Sequence, residues 1–136
     1  MKILIVDDSF SWQDYHKNVI EEIFLEKDFT DFTIDLASSA KEGYDFILQN
    51  NKTPYDLIIS DLQMEDDYEP KYAGEWFVEQ VKTFSSFFKT DIIISSGCYN
   101  IKQIAENLKV DYMPKRAIVN DINNYKEFLI GFLFRI

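Results

Sequence analysis

The sequence predicts an α/β fold in which five parallel strands alternate with five helices, (βα)5, as a doubly wound three-layer sandwich. Branched apolar runs at residues 3–6, 57–59 and 92–94 are too continuous for strands with one wet face, so they predict central strands covered on both sides. Helical patterns lie between these runs, and short connections imply right-handed crossovers. We expect residues 1–136 to form a single domain, which is an ordinary size for one hydrophobic core.

Two further strands are predicted near residues 32–37 and 110–113. In the first of them, apolar Phe32, Ile34 and Leu36 alternate with polar residues, which is typical of a strand at the edge of a sheet. The second is short and follows the fourth helical pattern along the chain. It would be the fifth strand of the sheet.

Helical periodicity marks the segments between the strands. Ser39 and Glu42 have the spacing of a capping box and predict the start of the second helix. The apolar positions at helical spacing are Trp12, Tyr15, Val19 and Ile23 in the first helix, Tyr44, Ile47 and Leu48 in the second, Phe77, Val81 and Phe84 in the third, Ile101, Ile104, Ala105 and Leu108 in the fourth, and residues 122–134 in the last.

The composition excludes several classes of function. With 14 Lys and Arg against 24 Asp and Glu, the net charge of −10 would repel a phosphate backbone, so we expect no direct binding of nucleic acid. Cys98 is the single cysteine and cannot form an internal disulfide, which favours a reducing cytoplasm. No apolar run reaches the length of a signal-peptide core or a membrane-spanning helix, so we expect no contact with a membrane.

Three carboxylates are predicted to converge at one edge of the sheet. Asp7 and Asp8 follow the first strand, and Asp61 follows the third. In open α/β sheets the ligand crevice lies at the carboxyl ends of the strands, where the strand order reverses. Clustered acids raise one another's pKa unless a hard cation lies between them, and Mg²⁺ characteristically joins one or two carboxylates to phosphate oxygens.

Two other strand ends supply groups suited to phosphoryl chemistry. Ser96 follows the fourth strand and offers a hydroxyl donor, although Ser95 is adjacent and a slip by one residue would exchange the two. Lys115 follows the fifth strand and offers a positive charge. Together with an aspartyl nucleophile at Asp61, these groups could position and neutralise a transferring phosphoryl group.

Four segments carry a resemblance to the receiver domains of response regulators. They are IVDDS at 5–9, IISDLQM at 58–64, IISSG at 93–97 and DYMPK at 111–115. Each one is a weak motif, but all four occur in the receiver order at predicted strand ends. The resemblance implies the flavodoxin-like strand order 2-1-3-4-5, and it implies that Asp61 accepts a phosphoryl group from the phosphohistidine of a sensor histidine kinase or a phosphotransfer protein.

The resemblance also implies roles for the other residues of the cluster. Asp8, Asp61 and the backbone carbonyl of Gln63 would bind Mg²⁺ or Mn²⁺, and Asp7 would hold a water on that metal.

Ser96 and Lys115 match the positions that grip the incoming phosphoryl group, and Tyr112 matches the aromatic side chain whose rotamer changes on switching. The chain would then be a switch that catalyses only its own phosphorylation and dephosphorylation, and not an enzyme acting on other substrates. It would signal to a downstream effector protein by direct contact.

The fourth helix, fifth strand and fifth helix form the surface through which receivers commonly meet partners. Phe128, Phe132 and Phe134 give the last helix more apolar surface than one buried stripe requires. One interpretation is a homodimer or a helix-docking partner on this surface, and the other is a well-buried last helix.

The sequence departs from the receiver pattern in two places. Arg116 stands where receivers usually have a proline, so a cis bond before it would cost about 3–4 kcal/mol. The connection from Asp61 to Gly74 is longer than usual, and residues 65–73 add acidic side chains near the expected metal. This insertion could change metal affinity or the choice of kinase.

Other functions fit the sequence less well. A haloacid-dehalogenase-type phosphatase needs Asp-x-Asp after the first strand, but Ser9 stands two residues after Asp7. A pseudo-receiver that acts without phosphorylation usually lacks an acid, the hydroxyl or the lysine, and none of these is missing.

His16 has no partner at metal-ligand spacing and is expected to be exposed or half-buried, while Cys98 is expected to be a small packing residue.

Overall fold

A five-stranded parallel sheet forms the middle layer of the protein, and its strand order, β2-β1-β3-β4-β5, confirms the prediction. The computed structural model describes residues 1–64 and 72–134. The strands are β1 (Lys2–Val6), β2 (Thr33–Ala37), β3 (Leu57–Ser60), β4 (Asp91–Ser96) and β5 (Asp111–Pro114). Because β1 and β3 are neighbours and β2 lies on the other side of β1, the strand order reverses at β1 and β3. The crevice expected from this topology therefore opens at their carboxyl ends.

Helices cover both faces of the sheet. They are α1 (Phe10–Glu26), α2 (Ala40–Gln49), α3 (Ala73–Thr83), α4 (Ile101–Leu108), α5 (Lys115–Val119) and α6 (Ile122–Leu133), with a short 3₁₀ helix at Ser85–Phe87. The sequence did not predict α5, because a five-residue helix is too short to show an apolar period. It begins directly after β5, with Pro114 at its N-cap.

The side chains of the central strands alternate between two apolar layers. In β1, Leu4 and Val6 face α2, α3 and α4, whereas Ile3 and Ile5 face α1, α5 and α6. All four are fully buried, as are their counterparts in β3. This arrangement confirms the three-layer sandwich and explains why the central strands read as unbroken apolar runs.

Helix caps fix where the chain turns away from the sheet edge. Ser9 is the N-cap of α1, and its hydroxyl accepts a hydrogen bond from the Trp12 N–H at 3.3 Å. Ser39 caps α2 in the predicted way, since its hydroxyl accepts from the Glu42 N–H at 3.0 Å. The Glu42 carboxylate, however, accepts from the N–H of Ser38, one residue earlier than in a capping box.

The aromatic side chains of the last helix pack inward. Phe128, Phe132 and Phe134 are half-buried against the layer that α1 and α6 share, and the ring of Phe134 meets that of Phe24 edge to face at 5.8 Å. Core packing therefore accounts for much of the apolar excess in this helix, and the homodimer stays a prediction. Within residues 1–64 and 72–134, no helix combines the length and the apolar character needed to cross a bilayer.

Candidate functional site

The backbone of the sheet places Asp7 and Asp61 side by side. Each lies one residue beyond the end of its strand, and each still takes part in the ladder of hydrogen bonds. The Asp7 N–H donates to the Ala37 carbonyl at 3.0 Å, and the Asp61 N–H donates to the Val6 carbonyl at 2.9 Å. Both side chains are buried, with exposed fractions of 1% and 6%. Their positions are therefore set by the core of the fold rather than by a loop.

Each of these carboxylates has one oxygen fixed locally and one turned into the site. Asp7 Oδ1 accepts from the Ser9 N–H at 2.9 Å, and Asp61 Oδ1 accepts from the Leu62 N–H at 2.7 Å. The second oxygens, Oδ2 in both residues, face the same ammonium group. Lys115 Nζ lies 2.9 Å from Asp7 Oδ2 and 3.0 Å from Asp61 Oδ2.

Lys115, which follows β5, therefore bridges the two acids that follow β1 and β3. It is the first residue of α5, and its side chain is only 14% exposed. Its Nζ atom also lies 4.8 Å from the centre of the Trp12 ring, which belongs to the first turn of α1. No peptide bond in the described residues is cis, so the chain passes from Lys115 to Arg116 in the trans form.

Burial dominates the electrostatics of the two acids. It raises the pKa of Asp7, and it raises the pKa of Asp61, because a carboxylate loses hydration when it is removed from water. Lys115 lowers both pKa values but offsets burial only in part, and the charge of Asp7 further raises the pKa of Asp61. Two buried acids therefore share one lysine, which does not fully offset the cost of burying their charges.

Asp8 completes a set of oxygen ligands. It is exposed at the mouth of the site, and one carboxylate oxygen from each of Asp7, Asp8 and Asp61 lies within 4.8 Å of the others. Oxygen ligands of an octahedral Mg²⁺ lie about 3–4 Å apart, so this cluster needs only small side-chain adjustments to fit such an ion. The donor set of carboxylate oxygens also suits a hard cation better than a soft one.

Ser96 and Tyr112 lie on the neighbouring strands. Ser96 ends β4 opposite Pro114, is 1% exposed, and its hydroxyl oxygen accepts from the Cys98 N–H at 3.2 Å. Tyr112 pairs with Ile94 and is half-buried against the layer formed with α4. The roles of both side chains in switching stay predictions.

Ser95 remains the alternative to Ser96. It is equally buried, and its hydroxyl has no hydrogen-bond partner among the described residues.

Gln63 is exposed, two residues after Asp61, and the role of its carbonyl stays a prediction as well. Residues 65–71, most of the acidic insertion, lie outside the described residues.

Two residues that support the acids were not singled out from the sequence. Gln13 is buried in α1 and donates from Nε2 to the Asp7 carbonyl at 2.7 Å and to the Ala37 carbonyl at 3.3 Å, tying together the ends of β1 and β2. Gly74, in the first turn of α3, donates its N–H to the Leu62 carbonyl at 2.9 Å. The sequence offered two signals that could have pointed to these residues. They are a polar residue within an apolar helix face and a glycine at a helix start.

His16 corrects a prediction. It was expected to be exposed or half-buried, but it is 1% exposed, and its Nδ1 atom is hydrogen-bonded to the Tyr125 hydroxyl across the interface of α1 and α6. Burial, helped by the charge of Lys115, lowers the pKa of His16 to about 3, so the imidazole is neutral. The partner lies 109 residues away in sequence, which is why local spacing did not reveal it.

Comparison with solved structures identifies the fold. The protein is similar to the phosphorylated cyanobacterial phytochrome response regulator RcpA, with 17% identity, a TM-score of 0.70, and coverage of 98% of this chain and 94% of that one. It is also similar to a CheY-like response regulator receiver domain from Methylobacillus flagellatus, with 20% identity, a TM-score of 0.66, and coverage of 95% and 98%.

A third similar structure is the response regulatory domain of mrkE from Klebsiella pneumoniae, with 20% identity, a TM-score of 0.68, and 96% coverage of both chains. No protein-family model and no curated protein matches the sequence. Many of the structural neighbours are thus receiver domains, and the protein has their flavodoxin-like fold over almost its full length. At 17–20% identity this similarity establishes the fold alone.

Proposed function

We propose that this protein is a phosphorylation-dependent receiver in which Asp61 accepts a phosphoryl group with the help of Mg²⁺. The observation that carries the proposal is the pair of buried carboxylates, Asp7 and Asp61, that share one lysine at the reversal point of the sheet. Burying two acids against one cation raises the pKa of both and weakens the fold. Acids perturbed in this way are characteristic of binding and catalytic sites.

Asp61 is the better acceptor of the two because of its place in the sheet. It follows β3, which lies between β1 and β4, so a phosphoryl group on Asp61 would have Asp7 and Asp8 on one side and Ser96 on the other. The Lys115 ammonium already contacts Asp61 Oδ2. The same positions match the receiver motif, in which this aspartate is the acceptor.

Phosphoryl transfer at this site would be a displacement at phosphorus. A carboxylate oxygen of Asp61 forms the new P–O bond while the bond from phosphorus to the donor, the P–N bond of a phosphohistidine, breaks and its electron pair stays on the donor. Lys115 neutralises charge on the phosphoryl oxygens, and the Ser96 hydroxyl would donate to one of them. Mg²⁺, held by Asp8, Asp61 and the Gln63 carbonyl with Asp7 contacting a water, would supply further neutralisation.

The proposal includes partners and a setting. A sensor histidine kinase or phosphotransfer protein would supply the phosphoryl group, and an effector protein would respond to the altered surface around β4 and β5. The protein would act as a switch and not as an enzyme on other substrates. The free thiol of Cys98 suits a reducing compartment such as the cytoplasm.

Labelling with a small phosphoryl donor tests the proposal. The wild-type protein is incubated with acetyl phosphate and Mg²⁺ and run on a phosphate-affinity gel, beside Asp61→Asn and the matched control Asp45→Asn, which changes an exposed acid of α2. We expect a shifted band in the wild type and the control and none in Asp61→Asn. A wild-type protein that takes no label from acetyl phosphate or from a phosphorylated phosphotransfer protein would favour the pseudo-receiver instead.

A further inference from the structure

We infer that two aromatic side chains of α1, Trp12 and Tyr15, position the Lys115 ammonium group against the Asp61 carboxylate. Trp12 does so by direct contact with the ammonium, and Tyr15 by holding the short helix that carries Lys115. The consequence for phosphoryl binding rests on the function proposed above. The contact itself does not, and it is tested separately.

The first observation is the position of the indole. Lys115 Nζ lies 4.8 Å from the centre of the Trp12 ring, within the roughly 6 Å over which an aromatic face attracts a cation. The ammonium is therefore held on three sides, by Asp7 at 2.9 Å, by Asp61 at 3.0 Å and by the indole. A lysine side chain has a flexible four-carbon stem, so a wall that confines its end has a direct effect on where the charge is.

The second observation concerns the helix on which Lys115 stands. This helix, α5, has only five residues, and its N-cap, Pro114, provides no side-chain hydrogen bond. A helix this short is not stable without outside contacts. The Tyr15 hydroxyl provides one, since it donates to the carbonyl of Ile118, near the end of α5. This bond satisfies a carbonyl that has no partner within so short a helix.

The two aromatic rings form one unit. The Trp12 and Tyr15 rings meet edge to face with centres 5.4 Å apart, and Tyr15 stacks on Tyr125 of α6 at 6.0 Å. Tyr125 is in turn bonded to the buried His16. The rings that hold Lys115 and α5 are therefore anchored in the interface between α1 and α6.

The contacts from Trp12 and Tyr15 matter more because Arg116 stands where receivers usually have proline. Without a proline ring to fix φ, the backbone after Lys115 has one restraint fewer, and the contacts from α1 restrain the same short segment. When a phosphoryl group forms on Asp61, the ammonium must move from the carboxylate to a phosphoryl oxygen. The indole face limits the directions in which it can move.

Proton NMR of the free protein tests the contact without reference to phosphorylation. The methylene protons beside Lys115 Nζ, assigned by their loss in Lys115→Arg, are expected to be shifted upfield by the indole ring current. The shift should disappear in Trp12→Leu and persist in Trp76→Leu, which removes the other tryptophan, on α3. Unshifted protons in the wild type would overturn the inference.

Binding of beryllofluoride, a stable mimic of the phosphoryl group, tests the consequence. In Trp12→Leu the apparent Kd for beryllofluoride with Mg²⁺ should rise about five- to thirtyfold, the loss expected for a largely desolvated cation–π contact. The Kd for Mg²⁺ alone should change less than about twofold. General damage to the fold would weaken the binding of both ligands, so it would not produce this difference between them. Trp12→Phe should recover most of the affinity, since it keeps an aromatic face, and Trp76→Leu should bind as the wild type does.

Amide hydrogen exchange tests the contribution of Tyr15. Tyr15→Phe keeps the ring but loses the bond to Ile118, so exchange across residues 116–120 should accelerate about two- to tenfold, as expected for one hydrogen bond. The control is Tyr44→Phe, on α2, which should leave these amides unchanged. Equal exchange in Tyr15→Phe and wild type would remove Tyr15 from the inference.

The outcomes separate the inference from the proposed function. If the wild type binds beryllofluoride and Trp12→Leu binds it equally well, Trp12 does not position Lys115 and the inference is wrong. If the wild type binds no beryllofluoride and takes no label, the proposed function is rejected, and the ring-current and exchange results alone decide whether α1 positions Lys115.

Discussion

The close approach of α3 to the backbone of Asp61 makes Gly74→Ala the sharpest structural prediction. A Cβ atom at residue 74 would lie 2.0 Å from the Asp61 carbonyl oxygen, 2.6 Å from the Leu62 Cα and 2.9 Å from the Asp61 carbonyl carbon. All three are backbone atoms, so no side chain can rotate away. Either the start of α3 or the backbone of Asp61 has to move by about 1 Å, since non-bonded carbon atoms prefer separations of about 3.5–4.0 Å.

The expected cost follows from two opposing terms. Overpacking of a rigid site costs about 1–3 kcal/mol, and a contact as short as this one belongs at the upper end. Alanine in place of glycine in a helix returns about 0.5–1 kcal/mol. We therefore expect Gly74→Ala to lower the free energy of unfolding by about 2 kcal/mol, which lowers the Tm by several degrees in a domain of this size.

Urea unfolding followed by circular dichroism measures this change, and labelling by acetyl phosphate measures the displacement of Asp61. The matched control is Gly131→Ala in α6, where no described heavy atom beyond the local helix lies within 4 Å of the new Cβ. It should leave the free energy of unfolding unchanged or raise it by up to about 1 kcal/mol. If Gly74→Ala unfolds at the wild-type urea concentration and is labelled at the wild-type rate, the close packing of α3 on Asp61 is wrong.

Three further predictions follow from burial and charge. Because burial raises the pKa of Asp61 above its unfolded value, this carboxyl group binds more protons in the native state than in the unfolded chain. In metal-free buffer the stability of the wild type relative to Asp61→Asn should therefore rise as the pH falls from about 7 towards about 4; urea unfolding across this range checks the sign, and a constant difference contradicts it. Isothermal titration should show weak Mg²⁺ binding that Asp8→Ala and Asp61→Ala abolish and Asp45→Ala preserves, and equal binding in all four proteins would exclude the acid cluster as the metal site. Tyr125→Phe removes the hydroxyl that is hydrogen-bonded to the buried His16, so it should lower the free energy of unfolding in urea by about 1–3 kcal/mol. A decrease below about 0.5 kcal/mol, the least expected of one hydrogen bond, would show that water or another group replaces the hydroxyl.

The sequence predicted those parts of the fold that depend on local pattern. The apolar run from Ile3 to Val6 was recognised as a central strand because buried parallel strands are apolar on both faces. The start of α2 was recognised because Ser39 precedes a helical period and has Glu42 three residues later. The N-cap of α1, Ser9, was not predicted, since no Glu or Gln follows it at that spacing.

The convergence of the acids was also predictable, because parallel strands deliver the residues after their carboxyl ends to one edge of the sheet. Asp7 and Asp61 follow β1 and β3 directly and these strands are neighbours, so the meeting of the two acids required only the strand order. Lys115 reaches both acids from the first residue of α5, beyond the edge strand β5. The sequence could not give the distances or show that one ammonium contacts both acids.

What the sequence missed depends on contacts between distant segments. His16 reads as a polar residue on a helix, and only the packing of α6 on α1 supplies the Tyr125 hydroxyl that makes its burial tolerable. Trp12 reads as one more apolar residue of α1, and its contact with Lys115 appears only once α5 is in place. Local periodicity contains no information about either contact.

The central claim, that Asp61 is the phosphoryl acceptor, is tested most directly by locating the label in the chain. Borohydride reduces an aspartyl phosphate to homoserine, so peptide mass spectrometry of the phosphorylated and reduced protein identifies the residue that carried the phosphoryl group. We predict homoserine at position 61 and at no other aspartate, with none formed when acetyl phosphate or Mg²⁺ is omitted. Homoserine at Asp7, Asp8 or another acid, or none in a protein that is folded and supplied with Mg²⁺ and donor, would contradict the account.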